Sequence, residues 1–451
     1  MQPITAKALF KDLWPTAPAG VVITSVVTDS RQVTPGCVFV AIKGERVDGH
    51  DYARKACESG AAFVVARHTI PDVPPDRTVL VADVLDAMIT MGANYRAGFS
   101  PLILGVTGSV GKTTTKEFSA AVFSVFGETL KTEGNQNNEI GMPNTLFRLD
   151  EETRYAVIEM GMQGPGEIRK LTLAAKPHGA IITKIGRAHM DRLGSVEAIL
   201  NAKMEICAGL PPGAPLILNG DDPLLRSVAL PEGIHAVYAA LEAQDAEVHA
   251  SAVEPKGAGQ RFRIIDRQFG EYEAYIPALG EHTVADALLA YTAATRLGLN
   301  AAMAADGLAS FRPAEMRQHI RKTGGVTLIE DYYNANPDSM KAALSLLASL
   351  DTQGRRVAVL GDMLELGEAS EHAHRELGNR AATLGVQLLV TVGKQASLAA
   401  AEASSLGVQV RAFDQNEEAA DFLHGELQKG DTLLLKASRG MKFEDIAKKL
   451  G

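Results

Sequence analysis

The sequence predicts an α/β protein of three domains, and three observations carry that expectation. A glycine-rich loop, Thr107-Gly108-Ser109-Val110-Gly111-Lys112-Thr113, follows an apolar run and opens a helical pattern. Beyond residue 313, short apolar runs alternate regularly with helical segments, as in a doubly wound, Rossmann-like sheet. Residues 1–82 form a smaller α/β set without a nucleotide fingerprint. A chain of 451 residues is long enough for two or three such cores.

Composition narrows the function. With 46% apolar and 22% charged residues, the chain is ordinary globular protein and not a disordered one. A net charge of -9 leaves no broad basic field for a phosphate backbone, so no nucleic-acid partner is expected. Cys37, Cys57 and Cys207 are odd in number and widely spaced, which gives neither a disulfide framework nor a zinc pattern. The opening Met-Gln-Pro-Ile-Thr lacks the blocks of a signal peptide, and no apolar run is long enough to span a bilayer. A cytoplasmic protein, monomeric by default and without membrane insertion, is the expectation.

In the first module (1–82), strands are expected at 21–23, 38–42, 62–65 and 79–81, with a helix over 52–59 ended by Gly60. Two polar clusters follow strands, where ligands tend to sit. One is Thr28-Asp29-Ser30-Arg31; the other runs from Lys43 through Asp48 to His50. Alone they read as surface loops.

The second module (83–312) begins with a helix over 84–99, a strand over 102–106 and the glycine loop, which runs into a helix over 114–126. Glycines let backbone N–H groups approach phosphate oxygens, and the helix N-terminus adds positive potential. Lys112 neutralises charge and the Thr113 hydroxyl can ligate Mg²⁺, so the loop is read as an ATP site. The position where the common motif has its first glycine is Val106, and Gly105 stands one place too early. A loop rich in amides and glycine follows over 133–143, then a strand over 155–158 ending at Glu159, where nucleotide hydrolases hold a metal. After a strand over 179–183, His189 lies two residues from Asp191, an arrangement that either ligates a metal or caps a loop. Val196, Ile199, Leu200, Lys203, Cys207 and Leu210 fall at helical spacing and put Lys203 inside an apolar stripe. Spacing alone favours a lysine that snorkels to water. A strand and turn over 216–222, a β-rich piece around 262–265 and 272–276, and an Ala-rich helix through Arg296 complete the module.

In the third module (313–451), strands are expected at 326–329, 357–360, 388–392, 409–410 and 432–435. Their carboxyl ends carry Glu330 to Pro337, Gly361-Asp362-Met363 and Lys436 to Gly440. Such ends bind ligands, so these are expected to face the second module.

Taken in order, these motifs resemble the Mur ligases, ATP-dependent amide-forming enzymes of bacterial cell-wall assembly. The likeness rests on the glycine loop, the Glu159 strand end, His189 with Asp191, Lys203, Gly280-Glu281-His282 and the Asp331 motif. Two stretches, 134–143 and Asp331-Tyr-Tyr-Asn-Ala-Asn-Pro337, look like the member that joins D-alanyl-D-alanine to UDP-N-acetylmuramoyl-tripeptide. The resemblance implies a UDP-binding first domain using Ser30, Arg31, Lys43, Asp48 and His50. It implies ATP held by residues 107–114 (Thr107 to Thr114), His282, Arg317 and Asp331, with Lys112 catalytic. It implies two Mg²⁺ ions held by Thr113, Glu159 and His189, with a carbamate on Lys203 in support. An ammonium about 4 Å from a divalent cation would be repelled by roughly 8 kcal/mol at an effective dielectric of 20, whereas a carbamate is attracted. Asn137 and Asn138 are implied to orient phosphate or carboxylate, and Asn334, Asn336, Ser438 and Arg439 to face the dipeptide. The family pattern has Asn directly after the His and again three residues later; here those positions are Thr283 and Asp286. Two rivals are a folylpolyglutamate-synthase-like ligase, which would lack the UDP-binding module, and an ATPase switch needing no amine acceptor.

Overall fold

The structure is a computed structural model in which residues 1–186 and 190–451 are described. A four-stranded parallel sheet near the N-terminus runs Ser25–Val27, Cys37–Val40, Phe63–Ala66, Thr78–Leu80. The apolar run at 21–23 does not join it. Val22–Ile23 pairs instead with Ile4–Thr5 as a separate antiparallel ribbon, and Ser25–Val27 supplies the sheet strand. Phe10 and Phe63 pack edge to face beneath this sheet, and their core continues into the helix Val84–Arg96.

The central sheet has nine strands. From one edge they run Thr129–Lys131, Tyr155–Glu159, Leu102–Thr107, Gly179–Ile182, Pro215–Asn219, His235–Ala240 and Val248–Lys256, all parallel. The long hairpin strands Gly259–Asp266 and Gly270–Ile276 extend it antiparallel. The glycine-loop strand lies centrally and is covered on both faces. Leu104 and Val106 pack with Phe118 and Phe123 against the Ala-rich helix Glu281–Arg296, while Ile103 faces the opposite core with Met142 and Leu146. A Cβ at Gly105 would lie 3.2 Å from Ile206 Cδ1, so this glycine serves packing, not phosphate. The 133–143 loop ends in a short helix, Gly141–Leu146. The helix bearing Lys203 stops at Met204 and tightens into a 3₁₀ turn.

The C-terminal sheet runs Gln409–Phe413, Leu388–Val392, Arg356–Gly361, Thr432–Lys436, Val326–Glu330, parallel throughout, with His319–Thr323 antiparallel at the edge. Apolar clusters fill both faces, as a doubly wound sheet requires.

Candidate active site

The glycine loop owes its shape to two close approaches. Gly108 has φ +148 and Gly111 φ +85, conformations that side chains rarely adopt. A Cβ at Gly108 would fall 2.0 Å from Thr183 Oγ1, and one at Gly111 would fall 2.6 Å from Asp286 Oδ1. The Ser109 N–H donates to the Lys184 carbonyl at 2.7 Å, and the Thr107 hydroxyl donates to the Met160 carbonyl at 2.8 Å. The next strands therefore clamp the loop from both sides. The helix Lys112–Ser124 starts at the loop's end and directs free N–H groups into it.

Behind the loop lies a buried polar knot. Glu159 is 2% exposed; its Oε2 accepts from the Thr113 hydroxyl at 3.0 Å and its Oε1 from the Asn137 amide at 2.8 Å. Lys112 Nζ donates to the Gly108 carbonyl at 2.9 Å. Burial pushes its ammonium below the ordinary lysine range against the pull of Glu159, and Arg317 pushes the same way as burial. Lys203 is 1% exposed, so its amine does not reach water and the snorkelling alternative fails. Burial first and Lys112 second hold it well below the usual lysine range, opposed by Glu159, Glu167 and Glu205.

A cleft of about 430 Å³ opens in front of the loop, between the central and C-terminal sheets. Residues 109–114 form one wall, with His282 and Asp286; Arg317, Asp331, Asn334, Asn336 and Lys436 come from the C-terminal side. Arg317 stacks over the Tyr333 ring, 4.3 Å from its centroid, which fixes the guanidinium at the cleft edge. Lys436 is 2% exposed and gathers the Asp331 turn: its Nζ donates to Asp331 Oδ2 at 2.7 Å and to the Asn334 carbonyl at 3.1 Å. The His282 ring accepts from the Gln318 amide, and burial holds it below the ordinary histidine range, opposed by Asp331.

Three Mur ligase domain families match the chain in order. The "Mur ligase family, catalytic domain" matches residues 22–95, the "Mur ligase middle domain" 106–294 and the "Mur ligase, glutamate ligase domain" 316–439. A UDP-N-acetylmuramoyl-tripeptide–D-alanyl-D-alanine ligase of Bacillus subtilis is 38% identical over 439 residues, 95% of this chain and 93% of the relative. The chain belongs to the Mur ligase family. The Escherichia coli ligase of the same name is 35% identical to this Mur ligase, across 96% of this chain and 94% of the relative. A crystal structure of MurF from Acinetobacter baumannii superposes with a TM-score of 0.90 at 30% identity, covering 100% and 99% of the two chains. One of MurF from Thermotoga maritima in complex with ADP gives 0.84 at 28%, covering 94% and 96%. A folylpolyglutamate synthase of Mycobacterium tuberculosis, at 16% identity and a TM-score of 0.62, shares the fold alone.

Not every residue expected at the site of this Mur ligase is brought together. His189 lies outside the described residues. Thr107, at the end of the strand, and Gly108, which opens the loop, do not line the cleft. Asn138 is exposed and turns to its own backbone, its Oδ1 accepting from the Ile140 and Gly141 N–H groups at the start of a helix. Asn336 lines the cleft yet also caps the helix Pro337–Ser349 in a capping box with Ser339. Ser438 is 3% exposed and accepts from the Leu364 N–H at 3.0 Å; Arg439 pairs with Glu444 at 2.6 Å. Neither lines the cleft, because the strand end turns their side chains toward their own domain. Asp362 likewise caps the helix that follows Gln395, accepting from the Ala396 N–H at 2.7 Å.

The N-terminal residues form local devices. Asp29 caps the turn Ser30–Gln32 and holds the exposed Arg31 guanidinium at 2.6 Å, and hydrogen bonds from Arg31 draw its carboxyl down to about 2. Asp48 accepts from the His50 N–H at 3.0 Å, contacts His50 Nδ1 at 2.7 Å and lies 3.9 Å from Lys43. His50 Nε2 accepts from the Arg67 N–H at 3.2 Å, so both ring nitrogens are engaged. Lys436 lies among the strand-end residues expected to face the second module, but neither it nor Asp286 was assigned a role at the site, although both line the cleft. A lysine ending an otherwise apolar strand was the one signal for Lys436; for Asp286 it was the acid in an Ala-rich helix.

Proposed function

We propose that this Mur ligase joins D-alanyl-D-alanine to UDP-N-acetylmuramoyl-tripeptide in the cytoplasm, at the expense of ATP cleaved to ADP and phosphate. The observation that carries the reading is the cleft in which Lys112 and Thr113 face Arg317 and Asp331 from a separate sheet. The γ-phosphoryl group passes to the free carboxylate of the peptide, giving an acyl phosphate. The dipeptide amine attacks its carbonyl, and phosphate leaves as the amide forms. Lys112 and the loop N–H groups hold the phosphates, while Arg317 and Asp331 approach from the other domain. Closing the cleft keeps water from the acyl phosphate.

Thr113 Oγ1 and the Glu159 carboxylate, 3.0 Å apart beside the loop, are hard oxygen donors of the kind Mg²⁺ takes. Bound Mg²⁺ would supply charge neutralisation between phosphate and carboxylate; His189 belongs to this expected set. Lys203 fits carbamate formation, because a buried amine held below the lysine range carries the free electron pair that attacks CO₂. UDP is assigned to the first domain through Ser30, Arg31, Lys43, Asp48 and His50. Phosphate release measured with UDP–muramoyl-tripeptide, with and without D-alanyl-D-alanine, and with mass spectrometry of the product, tests the reading. Release that ignores the dipeptide, or that a folate stimulates instead, rejects it.

A further inference from the structure

Asp286 sits where the Ala-rich helix meets the glycine loop, lining the cleft at 7% exposure. Its Oδ1 accepts from the Thr115 hydroxyl at 3.0 Å and packs so tightly on the loop that only glycine fits at position 111. Among the described residues it makes no ion pair. The charged groups on the elements around it have other partners or stand off. On the helix Lys112–Ser124, Lys112 donates to the Gly108 carbonyl, and Lys116 to the Thr132 carbonyl and to Glu117. Across the cleft, Arg317 lies over Tyr333, His319 pairs with Glu330, and Asp331 is held by Lys436. A buried carboxylate with one hydroxyl donor and no ion-pair partner among the described residues is costly to ionise. It would also set a negative charge beside a loop built to receive phosphates.

We propose that Asp286 works as a neutral carboxylic acid, a positioning residue that takes the Thr115 hydroxyl on Oδ1 and keeps an O–H on Oδ2 for an acceptor at the glycine loop. Nucleotide binding thereby requires a proton on Asp286. Burial pushes this carboxyl up to about 8, with Thr115 and Arg317 working in the opposite direction. Above that pH the side chain ionises and repels the nucleotide, so ADP affinity weakens by up to roughly tenfold per pH unit. Stability follows the same sign. The unfolded carboxyl loses its proton near 3.8 and the folded one near 8, so the contribution of Asp286 is complete at low pH and is lost as pH rises between the two.

The nucleotide arm rests on the ATP-site reading; a melting arm without nucleotide does not, so the two can fail separately. The full-length protein and Asp286→Asn are compared for ADP affinity by calorimetry, from about pH 7 to about pH 9.5, and for apparent melting temperature from about pH 5 to about pH 9. The expected result is an alkaline loss of affinity in the wild type that the amide abolishes. The melting advantage of Asp286→Asn should also grow up to about pH 8 and then level off. Lys112 is present in both proteins and cancels from the comparison. An alkaline loss shared by both proteins, or a melting difference indifferent to pH, overturns the proposal. So does wild-type ADP affinity that stays flat through pH 9, whatever the variant does.

Discussion

Lys203 and Glu159 are ionisable side chains at 1% and 2% exposure, each set against the underside of the glycine loop or its neighbours. Glu159 is satisfied by Thr113 and Asn137, whereas Lys203 is held well below the usual lysine range by burial first and Lys112 second. A buried ammonium is costly unless it is paired, neutral or modified. Lys203→Ala is expected to lower kcat by about a hundredfold or more, the scale of losing a preorganised electrostatic support. Carbon-13 NMR in labelled bicarbonate should show a carbamate resonance in the wild type that the variant lacks. Its absence from active wild-type enzyme refutes the modification. Asp286 poses the same cost with the opposite charge, and it stands at one of the two positions where the family pattern has Asn.

Glycine conformation dominates at the scale of the element. The run from strand to loop to helix was legible because an apolar stretch, a glycine pair and Lys112-Thr113 occur in the order that a phosphate cradle needs. The absent first glycine of the common motif has no consequence for loop closure, since Val106 is a buried core residue of the strand. Gly108 is the residue the loop depends on. Gly108→Ala would drive Cβ into Thr183 Oγ1 and bring it within 3.1 Å of the Thr183 backbone nitrogen. We expect a loss of about 1–3 kcal/mol in stability, measured by denaturant unfolding, together with lost nucleotide binding. An alanine variant that binds ADP normally would show that the loop relaxes. Strand pairing was harder to read: residues 21–23 and Ser25–Val27 are both short and apolar, and only their partners separate them.

The whole molecule brings a phosphate loop and the strand ends of a second sheet to one cleft. Arg317 is the clearest link across it, seated on Tyr333. Arg317→Ala should raise the KM for ATP about ten- to a hundredfold, the range for losing a charged hydrogen bond. Tyr333→Leu, which removes only the seat, should cost about two- to fivefold. Equal effects of the two substitutions in steady-state kinetics would mean that the tyrosine itself contacts substrate. By itself the chain order determined the α/β class, the phosphate loop, the place of Lys203 within an apolar stripe and the family, since periodicity and short motifs are local properties; that its amine is buried and does not snorkel was decided by packing. Which polar strand ends meet the cleft was decided by tertiary structure alone. Ser438, Arg439 and Asp362 look as eligible as Asp331 along the chain, yet backbone N–H groups and Glu444 claim them. A polar side chain serves whichever unsatisfied partner lies nearest, and that partner is known only once the chain is packed.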